Sequence, residues 1–212
     1  KSVAASGRID GKAAESALVT VRRFSALLRQ MQVENIHAVA TAAAREAENG
    51  AEFIAGLSRA TGLKIRIISG EEEGRLSAQG VLAGNPWADG MAGDLGGASI
   101  ELIAIANGEQ GRTETLPLGP LKLQLRTDTS ASQIERVVDG YLSEQKWIEK
   151  FSGATFYAVG GSWRALAQAH MRSVQHPVNV IHEYEIAAPE ALMFTHEIGR
   201  KTIAELIATP GL

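Results

Sequence analysis

A glycine turn between two acidic residues is the segment of this chain best equipped for chemistry. It reads GDLGGASIEL over residues 93–102. Glycines let the backbone approach a ligand closely and point successive N–H groups into one concavity, which suits a phosphate. Asp94 and Glu101 stand on either side of the turn, where they could hold a divalent cation against phosphate oxygens. The segment therefore indicates phosphoryl chemistry.

Three further segments suit an anionic ligand, although each also has a plainer interpretation. ATAAAREA at 40–47 offers Arg45, whose fork of donors can reach a phosphate or simply lie at the surface. SGEEEGR at 69–75 puts three carboxylates in a first helical turn, to interact with the helix dipole or to orient an attacking water. VGGSWR at 159–164 is a strand, a glycine turn and a helix start, which serves anion binding or close packing.

Composition bounds the class of protein. The chain has 212 residues, 45% hydrophobic and 21% charged, which is enough for one large domain or two lobes with a core. A net charge of −3 gives no general attraction for polyanions, so local groups must hold an anionic ligand and no nucleic-acid partner is expected. The absence of Cys excludes disulfides and thiolate metal sites. With no long apolar run and no signal peptide, we expect a cytoplasmic protein without membrane contact.

Periodicity and turn residues predict alternating strands and helices, a mixed α/β pattern. Asp10 is predicted to cap a helix that reaches about residue 31, and Asn107-Gly108 to close a hairpin. Residues 121–125 alternate apolar with polar side chains. Further strands are expected at 36–41, 64–68, 91–94, 99–106, 110–116 and 155–159, and further helices at 42–48, 51–61, 71–82, 132–150, 162–171, 189–199 and 202–207.

In this order, the four segments resemble the motifs of the exopolyphosphatase/guanosine pentaphosphate phosphatase (Ppx/GppA) family. The family patterns are A-T-x-A-x-R-x-A, S-G-x-E-E-[AG]-R, D-[IL]-G-G-G-S-x-E-L and V-G-G-[TS]-x-R-x-L-A. The glycine turn alone would also fit sugar kinases, whereas four motifs in order are specific. The resemblance implies an actin-like (ribonuclease-H-like) two-lobed α/β fold with mixed sheets flanked by helices. We expect the lobes at residues 1–77 and 78–212.

The resemblance also implies a reaction, the Mg²⁺-dependent hydrolysis of terminal phosphates from linear polyphosphate or from guanosine pentaphosphate. By motif position, Glu73 matches the family's catalytic carboxylate, which is expected to activate water, and Arg45 matches an arginine expected to contact a phosphate. Asp94 and Glu101 are the expected metal and water-positioning ligands. The expected phosphate-binding residues lie in the two glycine turns: Gly96, Gly97, Ala98, Ser99, Gly160, Gly161 and Ser162.

The chain departs from the family pattern at several points. Ala98 stands where the family usually has Gly, which costs on the order of 1 kcal/mol if that position needs a positive φ. Ile100 replaces a common Thr. The family's first phosphate loop would precede Lys1, and its closing helix would follow Leu212. We therefore expect the segment by itself to lack part of the machinery for in-line transfer.

Alternatives to an exopolyphosphatase stay open at the level of sequence. They are a guanosine pentaphosphate 5′-phosphatase, a sugar- or acetate-type kinase, and a non-catalytic protein that binds polyphosphate or a guanine alarmone. Arg112, Lys122 and Arg126 form either a basic track for a long polyanion or ordinary surface charge. The resemblance is also compatible with a homodimer.

Overall fold

The computed structural model describes residues 3, 6–126 and 130–208. The helices α1 to α9 span Gly11–Gln30, Ala42–Glu46, Gly50–Thr61, Gly70–Gly84, Pro120–Arg126, Ala131–Ser143, Gly161–Ser173, Ala188–Gly199 and Ile203–Ala208. The strands β1 to β6 span Ala38–Ala40, Ile65–Ile67, Gly90–Leu95, Ile100–Ala106, Glu109–Leu116 and Thr155–Val159, and a 3-10 helix covers Lys146–Phe151. These elements follow the bounds expected from sequence closely, with two exceptions. Residues 120–126 form a helix, and the helix expected over 132–150 ends at Ser143 and is followed by the separate 3-10 helix.

Local caps and turns explain where several elements begin and end. Asp10 caps α1 by accepting a hydrogen bond from the N–H three residues on, at 2.7 Å. Ser69 caps α4 in the same way, at 3.0 Å. Asn107 and Gly108 have φ angles of 54° and 74°, the positive values that a type I′ hairpin turn requires. These signals act over a few residues, and for that reason sequence alone predicted the cap at Asp10 and the hairpin at Asn107-Gly108.

The described strands form two sheets. β1 and β2 pair in parallel, and the second sheet has the order β5-β4-β3-β6. In this second sheet β4 runs antiparallel to both β3 and β5, whereas β3 and β6 are parallel. The carboxyl ends of β3 and β6 therefore meet at one edge, next to the start of β4. The two glycine turns of the sequence follow β3 and β6 at this edge.

Helix α4 packs closely on the second sheet because small residues recur along one face. Gly74 and Ala78 are buried there, and a Cβ on Gly74 would lie 2.7 Å from a methyl carbon of Thr113 and 3.3 Å from the Cβ of Glu101. This close approach brings the first turns of α4 against β4. The expected lobe boundary at 77/78 falls inside this continuous helix, and it stays a prediction.

Apolar clusters lie on both faces of the second sheet and beside the first. The face toward α4 buries a cluster of Ala78, Ala88, Ala92, Ile103 and Ile105. The opposite face packs Leu102, Leu116 and Leu118 against residues of α6 and the 3-10 helix. A third cluster of Ala44, Ile54 and Leu57 supports the first sheet. Within the described ranges, no helix combines the length and apolar composition needed to cross a membrane.

Candidate active site

Arg45 and Glu73 form an ion pair that joins two helices. Arg45 lies in the last turn of α2, and its Nη1 donates to Glu73 Oε2 at 3.0 Å and to the carbonyl oxygen of Ile68 at 2.9 Å. Glu73 lies in the first turn of α4. The exposed fractions of the two side chains are 23% and 19%, so the pair is partly open to solvent. Two acceptors hold the guanidinium in a fixed position.

Asp94 and Glu101 lie directly opposite each other on β3 and β4. Cross-strand partners of an antiparallel pair point to the same face of the sheet, which here is the face that α4 covers. Ser77, on α4, donates its hydroxyl to Asp94 Oδ2. Helix α4 therefore brings Glu73 and Ser77 to the edge of the sheet that carries the two opposed carboxylates.

Glu101 is an almost fully buried carboxylate, 1% exposed. Ser99 donates its hydroxyl to Oε1 at 2.8 Å, and the buried Oε2 has no hydrogen-bond partner among the described residues. Burial is the main cause that raises the pKa of Glu101 to about 7. The charges of Glu73 and Asp94 raise this pKa further, whereas Ser99 and the charge of Arg45 lower it. Geometry agrees, because a Cβ on Gly74, the neighbour of Glu73, would lie 3.3 Å from the Cβ of Glu101. The charged groups therefore share one site.

Backbone hydrogen bonds close and brace the first glycine turn. Gly96 N–H donates to the carbonyl of Ser99 at 2.9 Å. The carbonyls of Gly97 and Ala98 accept from N–H groups of the segment 119–121 at 2.9 and 3.2 Å. With their carbonyls turned this way, Gly97 and Ala98 have N–H groups that meet no acceptor within the described part of the chain. The N–H group of Ser99 likewise meets no acceptor among the described residues.

The other polar groups of the turn have partners within the protein. Gly96 uses its N–H to close the turn, and Ser99 directs its hydroxyl to Glu101. The phosphate contacts expected from these residues stay predictions. Ala98 does not adopt a positive φ, so its Cβ brings no left-handed strain. Ile100, in place of the common Thr, packs with the cluster around Leu102.

The second glycine turn lies against Asp94. Gly160 has a φ of +113°, and a Cβ there would lie 2.8 Å from the carbonyl oxygen of Leu95 and 3.2 Å from Asp94 Oδ1. Conformation and space both favour glycine at this position. Gly161 and Ser162 follow as exposed residues in the first turn of α7. The two glycine turns are thus neighbours at one edge of the sheet.

Comparison with known proteins assigns the chain to a family. The family model of the Ppx/GppA phosphatase family matches residues 1–208. The chain belongs to this family. The expectation drawn from the four ordered motifs is confirmed, and the family accounts for nearly all of the chain.

Several solved structures share the fold of this chain. An exopolyphosphatase from Cytophaga hutchinsonii superposes with a TM-score of 0.86 at 21% identity, over 97% of this chain and 70% of that one. A family member from Aquifex aeolicus gives 0.74 at 20% identity, over 100% and 71%. An exopolyphosphatase-like protein gives 0.75 at 22% identity, over 99% and 72%. The likeness confirms the actin-like α/β fold with mixed sheets flanked by helices.

The carboxylates of this Ppx/GppA site suit a cation that takes few protein ligands. Within residues 3, 6–126 and 130–208, no group of three or more His, Asp or Glu side chains is arranged to hold a metal ion. Asp94 and Glu101 offer two carboxylates, and Glu101 Oε2 is a buried oxygen without a donor. Mg²⁺ is usually bound by one or two carboxylates together with waters and substrate phosphates. The donor set fits Mg²⁺ held jointly with a phosphate.

Two of the three basic residues considered as a track for a long polyanion form ion pairs with acidic side chains of the protein. Arg112 pairs with Glu114 at 3.1 Å, and Lys122 pairs with Glu46 at 2.7 Å. The side chain of Arg126 lies outside the described part of the structure. For Arg112 and Lys122, the structure favours ion pairing within the protein over a free basic track.

Ser77 is the site residue that none of the family motifs indicates. It stands four residues after Glu73 and therefore on the same helical face, and this spacing is the signal in the sequence that points to it. The structure brings Arg45, Glu73, Asp94 and Glu101 together beside the two glycine turns. Their roles in catalysis stay predictions.

Proposed function

We propose that this chain forms the hydrolytic site of an exopolyphosphatase, which releases the terminal phosphate of linear polyphosphate. The observation that carries the proposal is the convergence of one guanidinium, three carboxylates and two glycine turns at one edge of the second sheet. Phosphoryl transfer needs little covalent chemistry from a protein and depends on positioning and charge stabilisation. The side chains and turns at this edge are suited to both tasks.

Glu73 is the residue that we expect to activate water. Its Oε2 accepts from Arg45, and its Oε1 accepts no hydrogen bond from the described residues. Oε1 is therefore available to accept a hydrogen bond from a water molecule. The carboxylate would accept a proton from this water while the water oxygen attacks phosphorus, and in doing so it would act as a general base. The contact with Arg45 fixes the direction in which Glu73 presents that oxygen.

The two glycine turns are the expected cradle of the terminal phosphate. The N–H groups of Gly97 and Ala98 lack protein acceptors in the described segments, and the exposed first turn of α7 at Gly161 and Ser162 adds the N–H groups of a helix start. Arg45 is close enough to Glu73 to place a charge-assisted donor near the same phosphate. The phosphate would thus be held from both turns.

A divalent cation belongs to the proposal because the site is acidic. When ionised, Glu73, Asp94 and Glu101 carry three negative charges against the single positive charge of Arg45, and this excess would repel a polyphosphate. Asp94 and Glu101 are the residues that would hold Mg²⁺. When bound, the ion neutralises charge on the phosphate oxygens.

A cytoplasmic location and a homodimer stay predictions.

Phosphate release by the full-length protein tests the proposal. Long-chain polyphosphate and guanosine pentaphosphate are compared side by side, each with Mg²⁺ and with EDTA. We expect Mg²⁺-dependent release with a higher kcat/KM for polyphosphate. Release from guanosine pentaphosphate alone would assign a 5′-phosphatase, and binding of polyphosphate without release would assign a sensor. Phosphoryl transfer from ATP to a sugar or to acetate would assign a kinase.

A further inference from the structure

Ser77 contacts the candidate site, but it has no role in the hydrolysis proposed above. It stands four residues after Glu73 on α4, so the two side chains share one face of the helix. Its hydroxyl donates a hydrogen bond to Asp94 Oδ2 on β3, across 17 positions of sequence. Ser77 is therefore connected directly to a carboxylate that we expect to bind a cation.

Helix formation alone gives no reason for a serine at this position. Serine has a lower helix propensity than alanine, and a helical serine commonly returns its hydroxyl to the carbonyl four residues back. Ser77 points its hydroxyl across to Asp94 instead. The next residue, Ala78, is fully buried at 0% exposure, so alanine packs well in this part of α4. The hydroxyl of Ser77 thus serves the contact with Asp94.

The hydrogen bond fixes one oxygen of Asp94 and leaves the other toward the second glycine turn. Oδ2 accepts from Ser77, whereas Oδ1 accepts no hydrogen bond from the described residues and would lie 3.2 Å from a Cβ on Gly160. Asp94 also faces Glu101 directly across the strands, and opposed like charges repel each other. A donor on Oδ2 therefore holds the Asp94 carboxylate in place beside a second acidic group.

We propose that Ser77 is a positioning residue, which orients the Asp94 carboxylate to bind a divalent cation together with the substrate phosphate. This inference rests on the proposed function. Outer-shell hydrogen-bond partners fix the orientation of metal-binding side chains, and their loss typically costs about 10- to 100-fold in metal affinity. Ser77 would act in this way through Asp94, without touching the phosphate itself.

Binding of Mn²⁺, as a spectroscopic substitute for Mg²⁺, tests the inference in the full-length protein without polyphosphate and with inorganic phosphate present to occupy the phosphate position. Electron paramagnetic resonance of the free ion gives the affinity of wild type, Ser77→Ala and the control Ser143→Ala. Ser143 donates its hydroxyl to the carbonyl of Gly140 on α6, away from the site. We expect Ser77→Ala to weaken Mn²⁺ binding about tenfold at an unchanged melting temperature, and Ser143→Ala to bind as wild type does.

A crystal structure of Ser77→Ala completes the test, and we expect it to show the Asp94 carboxylate turned from its wild-type orientation. Wild-type Mn²⁺ affinity in Ser77→Ala would overturn the inference, whether or not the melting temperature falls. Weaker affinity with Asp94 unmoved would overturn it too, because Ser77 would then act directly. Absence of Mn²⁺ binding by the wild-type protein would also overturn the inference. Wild type that binds Mn²⁺ but releases no phosphate would refute the proposed function, while the Ser77→Ala affinity still decides this inference.

Discussion

Glu101 is almost fully buried and has two acidic neighbours. Burial and the neighbouring charges both raise its pKa, to about 7. Because the pKa in the folded state is raised above the ordinary value of 4.5, the folded protein binds this proton more tightly than the unfolded chain does. The stabilisation from the proton is fully present below about pH 4.5 and is lost as the pH rises through about 7. Over that range, the loss amounts to about 3 kcal/mol.

Glu101→Gln removes this titration, since an amide stays neutral at every pH. We expect the free energy of unfolding of wild type to fall between pH 4.5 and pH 8 by about 3 kcal/mol more than that of Glu101→Gln. Urea unfolding of both proteins at the two pH values, without divalent cations, measures the difference. Parallel pH profiles for the two proteins would contradict the burial of an uncompensated carboxylate at this position.

Individual site residues were predictable from the sequence only where a motif names them. Asp94 and Glu101 were indicated by their places beside the glycine turn and Arg45 by its donors, whereas the choice of Glu73 came from the resemblance. The structure brings all four together. The hydrogen bond from Ser77 to Asp94 was not predictable, because it depends on how α4 docks on β3. The N–H groups left without acceptors in the turn at 96–99 were not predictable for the same reason. They depend on backbone hydrogen bonds between this turn and the segment 119–121, which is distant in sequence.

Helix α4 is the element on which the site depends, since it carries Glu73 and Ser77 and must approach the sheet closely to place them. Gly74 provides this approach, because a Cβ there would meet Thr113 at 2.7 Å. Gly80, on the same helix, offers a matched comparison, because a Cβ there would meet nothing within 4 Å. The two glycines therefore differ in packing while sharing the same helical conformation.

Alanine substitutions at these glycines should have opposite effects on stability. We expect Gly74→Ala to lower the free energy of unfolding by about 1–3 kcal/mol through overpacking, and also to slow phosphate release as α4 shifts. Gly80→Ala should raise the free energy of unfolding by about 0.5–1 kcal/mol, because alanine favours the helix. Urea unfolding of both variants provides the measurement. Equal effects at the two positions would argue against close packing of α4 on the sheet.

Elements with local signals were predicted well, and an element with a long-range cause was not. The cap at Asp10 and the hairpin at Asn107-Gly108 depend on neighbours in sequence. The alternating residues 121–125 form a helix that begins at Pro120, where a missing N–H costs nothing. Its first turn also donates to the carbonyl of Gly97, a contact that five residues of sequence cannot reveal.

At the scale of the whole molecule, an ion pair connects the part built on the first sheet with the segment that braces the glycine turn. Lys122 Nζ lies 2.7 Å from Glu46 Oε1, across 76 positions of sequence. Glu46 follows Arg45 in α2, and Lys122 lies in α5 next to the residue that bonds Gly97. The ion pair therefore connects the helix that carries Arg45 with the segment that contacts the first glycine turn.

Reversing both charges tests whether this pair couples the two parts. The variants are Glu46→Lys, Lys122→Glu and the double exchange. Because both side chains are partly exposed, at 34% and 24%, we expect the single variants to lose stability and the double variant to recover about 0.2–1 kcal/mol of it. Urea unfolding at low salt measures the coupling, which 1 M salt should screen. Strictly additive effects would show that the contact does not couple the two parts.

The order of four motifs indicated the overall fold through resemblance, whereas periodicity alone indicated a mixed α/β class. Pairings such as β3 with β6 or Glu46 with Lys122 join residues far apart in sequence, and a local pattern does not specify them. What the fold adds is the meeting of two glycine turns and three carboxylates at one edge. The proposed hydrolysis depends on that meeting.

Phosphate release from polyphosphate by full-length Glu73→Gln, next to Glu71→Gln, tests this account most directly. Glu71 lies in the same helical turn but is exposed, whereas Glu73 pairs with Arg45 beside the other carboxylates. We expect Glu73→Gln to bind polyphosphate and lose about 10²-fold or more of its rate, and Glu71→Gln to match wild type. A wild-type rate in Glu73→Gln would contradict the assignment of this edge of the sheet as the hydrolytic site.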